Sequence, residues 1–301
     1  MAERGRSIEE VSEVAEHNLI FSTSDGIRLA AGARGPESDK PVILIAGWPQ
    51  TLHAWRHVQD RLAADGIYSI AIDPPGLGES DLLGDVAQYA TSNVATIMAD
   101  ALAREGIQRY TLVGHDVGAW IAYAWSCNAP AGLERIVLLD AAIPGTLPEA
   151  GFPVEKAPQV FQFFFNAVPD LPERLTLGRE RVYLDWLFET KTRISGAIGS
   201  DDIDEYMRCY CQPERMSAGY AYYRAVPQSI AALAHVPKLA MPVLAIGAEH
   251  GVGEALAKAL APKCDNLATD VIAGSGHFIP EEAPAELTDR LLAFLQRHDG
   301  A

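Results

Sequence analysis

Two hydrophobic rhythms alternate along the first half of the chain. Short unbroken apolar runs occur in PVILIAGW near 41–48, YSIAID at 68–73, YTLVG at 110–114 and ERIVLLD at 134–140. Between them the spacing predicts helices over His53–Asp65, Val94–Arg104 and Val117–Asn128. Apolar runs rich in β-branched residues suit strands buried on both faces, and strand–helix alternation makes such strands parallel. Upstream, LIFST (19–23) and IRLAAGA (27–33) flank Ser24-Asp25-Gly26 and read as an antiparallel hairpin leading into that sheet.

The rhythm breaks from about Ile143 to Val236, where aromatics and helical stretches dominate. Pro144, Pro148, Pro153 and Pro158 make the entrance irregular. Alternation returns with MPVLAIGAE (241–249), a helix over 254–260, a strand ATDVIAG (268–274) and an amphipathic helix from Pro284 to Arg297. The expected organisation is one α/β core, 1–142 with 237–301, interrupted by a helical insertion at 143–236. No internal repeat or low-complexity segment is visible.

Composition narrows the function classes. A chain of 301 residues that is 49% hydrophobic supports a sizeable core. A net charge of −16 argues against nucleic acid, whose phosphates need clustered Lys and Arg, and against anionic lipid. No apolar run is long enough to span a bilayer, and MAERGRSIEEVSEVAEH lacks the apolar stretch of a signal peptide. Cys127, Cys209, Cys211 and Cys264 offer no paired metal knuckle. Reduced thiols and a cytoplasmic location are expected.

The chemistry centres on LVGHDVGAW (112–120), where Asp116 stands between Gly114 and Gly118 after an apolar strand. Asp is a favoured helix N-cap. Strand–Gly-x-Nu-x-Gly–helix is also the nucleophile-elbow pattern, with Asp where many hydrolases carry Ser. A carboxylate can displace a leaving group at saturated carbon and form an ester, which an activated water must then cleave. That second step needs a base. His277, in the loop GSGHFIPEEAP (274–284) after the last strand, fits the need, since imidazole titrates near working pH. The base needs an orienting carboxylate. Asp140 ends the strand ERIVLLD, and Glu249 at the end of AIGAEH is the fallback. The oxyanion of ester hydrolysis needs two backbone donors, for which the candidates are the amides of Val117 and Trp48.

These segments together resemble the α/β-hydrolase superfamily, from about residue 19 to 297. Within it they are similar to the branch with an Asp nucleophile, which contains epoxide hydrolases and haloalkane and haloacetate dehalogenases. GHDVG, GWPQ, LLD, YYRAVPQS and GHFIPEEAP occur in order. The resemblance implies a mostly parallel eight-stranded sheet flanked by helices, with a helical cap inserted after Asp140. It also implies a cap donor for the leaving oxygen of an epoxide. Tyr223 matches that family position, and Gln162 in VFQFFFNAVPDLPE (160–173) is the candidate second donor, or else a packing residue. Trp48, Phe161, Phe163 and Tyr222 are the candidate pocket walls. Haloalkane dehalogenases of this kind carry Trp after the nucleophile and haloacetate dehalogenases carry nearby arginines. Here Val117 and Trp120 occupy the nearby positions, which disfavours a small anionic haloacid.

The expected activity is therefore epoxide hydrolysis to a vicinal diol, with water as co-substrate and no metal or organic cofactor. A dehalogenase for a neutral organohalide is the rival enzyme, and a non-catalytic ligand-binding protein is the rival of another class. A monomer or homodimer is expected.

Overall fold

The computed structural model describes residues 17–128, 130–146 and 154–298. The charged N-terminal stretch up to Glu16, together with Pro148 and Pro153, lies outside them. In chain order the core elements are β1 (His17–Ser22), β2 (Arg28–Arg34), β3 (Val42–Ile45), α1 (Arg56–Ala64), β4 (Ser69–Ile72), α2 (Thr91–Arg104), β5 (Tyr110–His115), α3 (Val117–Cys127) and β6 (Leu133–Leu139). Six helices follow: α4 (Ala157–Ala167), α5 (Leu171–Thr176), α6 (Glu180–Lys191), α7 (Ser200–Tyr210), α8 (Arg215–Arg224) and α9 (Val226–Leu233). The chain then returns with β7 (Leu239–Ala248), α10 (Glu254–Leu260), β8 (Cys264–Ile272), α11 (Ile279–Glu282) and α12 (Pro284–His298).

The eight strands form one sheet in the order β1-β2-β4-β3-β5-β6-β7-β8. β2 runs antiparallel to both of its neighbours, and the ladders from β4 to β8 are parallel. Side chains along each central strand alternate between two cores. Ile43, Leu112, Ile136, Leu138 and Val243 join the core beneath α2 and α3. Leu44, Val113, Val137, Leu139 and Leu244 join the core beneath α1 and α12. Because both faces are covered, the strands carry no polar alternation, and this is the source of their unbroken apolar runs.

The expected elements differ mainly at their ends. The helix expected from His53 begins with a 3-10 turn, Leu52–Trp55, and becomes α-helical only at Arg56. α2 begins three residues before Val94, and β8 begins four residues before Ala268. The short α11 is an addition. Among the described residues no helix is long and apolar enough to cross a membrane.

Candidate active site

Parallel strands deliver their carboxyl ends to one edge of the sheet, and loops there can meet. Asp116 follows β5 directly, at φ 53° and ψ −120°. A non-glycine residue at positive φ is strained by about 1–3 kcal/mol and persists only where its surroundings fix it. The fixing is visible on both sides. A Cβ at Gly118 would stand 2.1 Å from the Ile45 carbonyl oxygen, and one at Gly114 would stand 2.3 Å from that of Gly118. A Cβ at Gly47 would stand 2.3 Å from that of Asp116. Small residues thus let α3, β5 and the loop after β3 close on one point. Asp116 occupies the N-cap place of α3, yet its side chain makes no capping hydrogen bond. Its carboxylate is buried, and among the described residues Oδ1 has no hydrogen-bond partner.

His277 Nε2 lies 3.3 Å from Asp116 Oδ2, and its Nδ1 lies 2.7 Å from Asp140 Oδ2. Asp140 is fully buried at the end of β6, and its Oδ1 accepts from the amides of Ala248 at 2.8 Å and Val252 at 2.9 Å. A Cβ at Gly251 would stand 2.1 Å from Asp140 Oδ2, so glycine is required there. Glu249 stands apart: it is exposed and accepts from the amide of Gly274. An imidazole bonded in this way at Nδ1 presents Nε2 to a reacting proton.

Charge follows from this packing. Burial opposes ionisation of Asp116, but the hydrogen bond and charge of His277, with the Lys191 ammonium behind them, hold its carboxyl below the usual range. Burial and Lys191 disfavour the imidazolium of His277, yet its bonds to Asp116 and Asp140 prevail and raise its pKa. Neighbouring His115 is pushed down to about 4, chiefly by burial, and is neutral. Its Nε2 sits 2.7 Å from the His277 carbonyl oxygen and donates to it.

The loop carrying His277 is clamped by a residue that composition alone gave no reason to select. Glu282 Oε2 accepts from the amides of Gly276, Arg193 and Ile194, and Oε1 accepts from that of Phe278. Buried Glu281 pairs with Arg56 at 2.6 Å, and Arg56 also pairs with Asp202 of α7 at 2.8 Å. Burial pushes the Glu281 carboxyl up to about 7 despite Arg56.

Trp48 lies on the loop after β3 and Val117 is the first residue of α3, the two segments that close on Asp116. Among the described residues neither of their amides donates to a backbone carbonyl. The Trp48 ring is buried against Tyr183, Tyr210, Tyr220 and Tyr223.

The helices between β6 and β7 bring further groups to the same place. The ring of Tyr223 meets Trp48, Trp120 and Phe163, with centroids 5.5–5.9 Å apart. Among the described residues its buried hydroxyl has no hydrogen-bond partner. Burial first, and then the charge of Asp116, raise its pKa well above the usual tyrosine value, so it remains a neutral donor. Asn166 is fully buried on α4 beside it, where it eases that upward shift. The Tyr183 hydroxyl donates to Asn166 Oδ1 at 2.8 Å, which leaves the Nδ2 group as a donor without an acceptor.

Three other sequence-selected residues take different places. Gln162 is buried one helical turn before Asn166, with its amide oxygen accepting from Lys191 Nζ and its nitrogen donating to the Gln159 carbonyl at 3.3 Å. Among the described residues it makes no hydrogen bond to the Tyr223 hydroxyl. Phe161 is on the outer face of α4, 43% exposed, against Phe165 and Trp186. Tyr222 turns the other way from Tyr223, packing on Tyr89 and donating to the Pro75 carbonyl at 2.7 Å. Phe161 and Tyr222 therefore do not wall the space over Asp116, whereas Phe163 meets both Trp120 and Tyr223. Val117 and Trp120 bring no cation to the elbow. Lys191, at the end of α6, is a further basic group near these carboxylates: burial lowers its pKa, and the charges of Asp116 and Asp140 pull it back up.

Known proteins of the same shape and sequence pattern were found. A Burkholderia cenocepacia protein, Cfl2, has a crystal structure that superposes with a TM-score of 0.88 at 38% identity, covering 93% of this chain and 95% of that one. The structure of the epoxide hydrolase CorEH superposes at 0.84 with 27% identity, over 95% and 99% of the two chains. The soluble epoxide hydrolase of Corynebacterium sp. (strain C12) is 28% identical over 292 residues, 94% of this chain and 98% of that protein. Residues 40–284 match the family model described as the alpha/beta hydrolase fold, and with that match the chain belongs to the alpha/beta hydrolase fold family and is a hydrolase.

Proposed function

We propose that the protein is an epoxide hydrolase that works through an ester on Asp116. The observation that carries this reading is the pairing of two opposed sets around one carboxylate. On one side stand His277 and Asp140. On the other stands the unpartnered hydroxyl of Tyr223, with the free amide donor of Asn166 beside it. The likeness to the soluble epoxide hydrolase of Corynebacterium supports the substrate class.

In the first step an Asp116 oxygen attacks an oxirane carbon and the C–O bond of the ring breaks. The developing alkoxide accepts hydrogen bonds from Tyr223 and Asn166, then takes the Tyr223 proton, and water restores the phenol. In the second step His277 Nε2 accepts a proton from water as the water oxygen attacks the ester carbonyl of Asp116. The Trp48 and Val117 amides stabilise the oxyanion, and Asp140 stabilises the imidazolium. Collapse returns the imidazolium proton to the departing alkoxide and frees a vicinal diol, and the carboxyl proton left on Asp116 passes to the hydroxide formed when water restored the phenol, which regenerates the carboxylate. Helices α4–α9 serve in this reading as a cap that keeps bulk water from the alkoxide.

Single-turnover hydrolysis in oxygen-18 water tests the route. Unlabelled diol and label in Asp116 are expected. Label entering the diol in the first turnover would sink the ester mechanism.

One observation favours a second reading, dehalogenation by the same ester. Among the described residues the indole N–H groups of Trp48 and Trp120 are both buried without partners, and such donors suit halide. A Cβ on Gly219 would stand 2.2 Å from Trp48 Nε1, so that donor is pressed against α8. Halide release from a haloalkane panel, set beside diol formation from styrene oxide, decides between them.

A further inference from the structure

Lys191 closes α6 with its main chain fixed to the loop of His277. Its carbonyl oxygen accepts from the His277 amide at 3.0 Å, and a Cβ on Gly276 would stand 2.3 Å from that oxygen. From this anchor the side chain turns inward, away from the usual course of a lysine at a helix end, which snorkels to water. Its ammonium meets the amide oxygen of Gln162, a side chain 1% exposed. Burial lowers the Lys191 pKa, the charges of Asp116 and Asp140 favour its ammonium in return, and it acts in turn on Asp116 and His277, yet among the described residues it forms no ion pair. A partly buried ammonium held by one neutral amide is costly unless an anion completes it. Asp116 and Asp140 are committed to His277 by the contacts already described.

We propose that Lys191, held by Gln162, is a subsite for an anionic oxygen group of the substrate. The inference rests on the epoxide reading for the reactive end and adds the other end: the substrate is an epoxy acid with its carboxylate a few bonds from the oxirane. An ammonium there counters the repulsion that a substrate carboxylate would otherwise meet from Asp116. Gln162 also acquires a purpose unlike that of an acid donor, because it aims the lysine.

Binding and turnover test this separately. By calorimetry, phenylacetate should bind the wild type at least about 10-fold more tightly than phenylacetamide, as expected for one added charge pair in a partly dry site. Lys191→Gln and Lys191→Met should each erase the preference, and Lys191→Arg should retain part of it. With 3-phenylglycidate and 3-phenylglycidamide, the same variants should lower the acid-over-amide ratio of kcat/KM about 10-fold, mainly through KM. Equal affinity of the wild type for acid and amide overturns the subsite. So does a preference that survives in both neutral variants. If phenylacetate is preferred through Lys191 but only chloroacetate is turned over, with chloride released, the anion subsite stands and the epoxide reading falls.

Discussion

Nδ1 of His277 lies 2.7 Å from Oδ2 of Asp140, while the other oxygen of that carboxylate is held by the amides of Ala248 and Val252. The carboxylate is thereby fixed by the end of β7, and it fixes the imidazole in turn. Its strand, β6, lies directly between β5, which carries Asp116, and β7.

His277→Gln should separate the two steps. Attack by Asp116 needs no base, whereas hydrolysis of the ester does. The variant is expected to accumulate alkyl-enzyme, seen by mass spectrometry as the protein plus one substrate, with hydrolysis slowed about 10²–10⁴-fold. Unmodified protein after incubation with a good substrate would count against the ester.

The pH dependence has a defined sign. In the resting protein the pKa of His277 is raised above the ordinary value of 6.5, because its contacts with the Asp116 and Asp140 carboxylates outweigh burial and Lys191. Esterification neutralises Asp116, so the imidazole should lose its proton at lower pH in the ester. The rising limb of single-turnover ester hydrolysis should therefore lie below the His277 titration followed by NMR in the free protein. Stability carries the same signature. The His277 contribution is complete below 6.5 and is lost as pH rises through its raised folded value, and Asp116→Asn should flatten that decline.

Tyr223→Phe should cost about 10²-fold in kcat/KM on styrene oxide, the scale of one proton donor. Asn166→Ala should cost less, and the double variant less than the product of the two, since both donors serve one oxygen. Halide release from a haloalkane measured in the same variants is the control. Equal losses on both substrates would indicate disturbed packing around Trp48.

Arg56→Met should destabilise the protein more at pH 8 than at pH 5.5. It leaves Glu281 buried without its cation, and loss of one partner of a buried pair costs about 3–5 kcal/mol. The carboxyl titrates at about 7 with Arg56 present, mainly through burial, and removal of the cation moves it higher. At pH 5.5 the group is protonated and the penalty shrinks. Chemical denaturation at the two pH values gives the comparison.

The strands were legible because a strand buried on both faces must be apolar throughout, as VILI of β3 is. The sharp turn at Asp116 was legible because only glycine fits at 114 and 118. The helices over the site were read less well, for a geometric reason. Gln162 and Asn166 are four residues apart and share one face of α4, so periodicity gives the face but not the height. Phe161, one residue from Gln162, falls on the outer side, and Tyr222 is rotated from Tyr223 by the same rule. Lys191 left no trace at all: a lysine in the last turn of a helix reads as a solvated partner of the helix dipole. Its inward course is set by Gln162, which is 29 positions earlier in the chain.

The contact between Gly219 and the Trp48 indole bears on how this enzyme can be remodelled. The missing side chain on α8 is a socket cut for a residue of the sheet-edge loop. Transplanting the helices of a relative onto this sheet would have to carry the socket and its plug together. A library that diversifies α8 while holding Trp48 fixed will lose most members to that single position, whatever substrate it seeks.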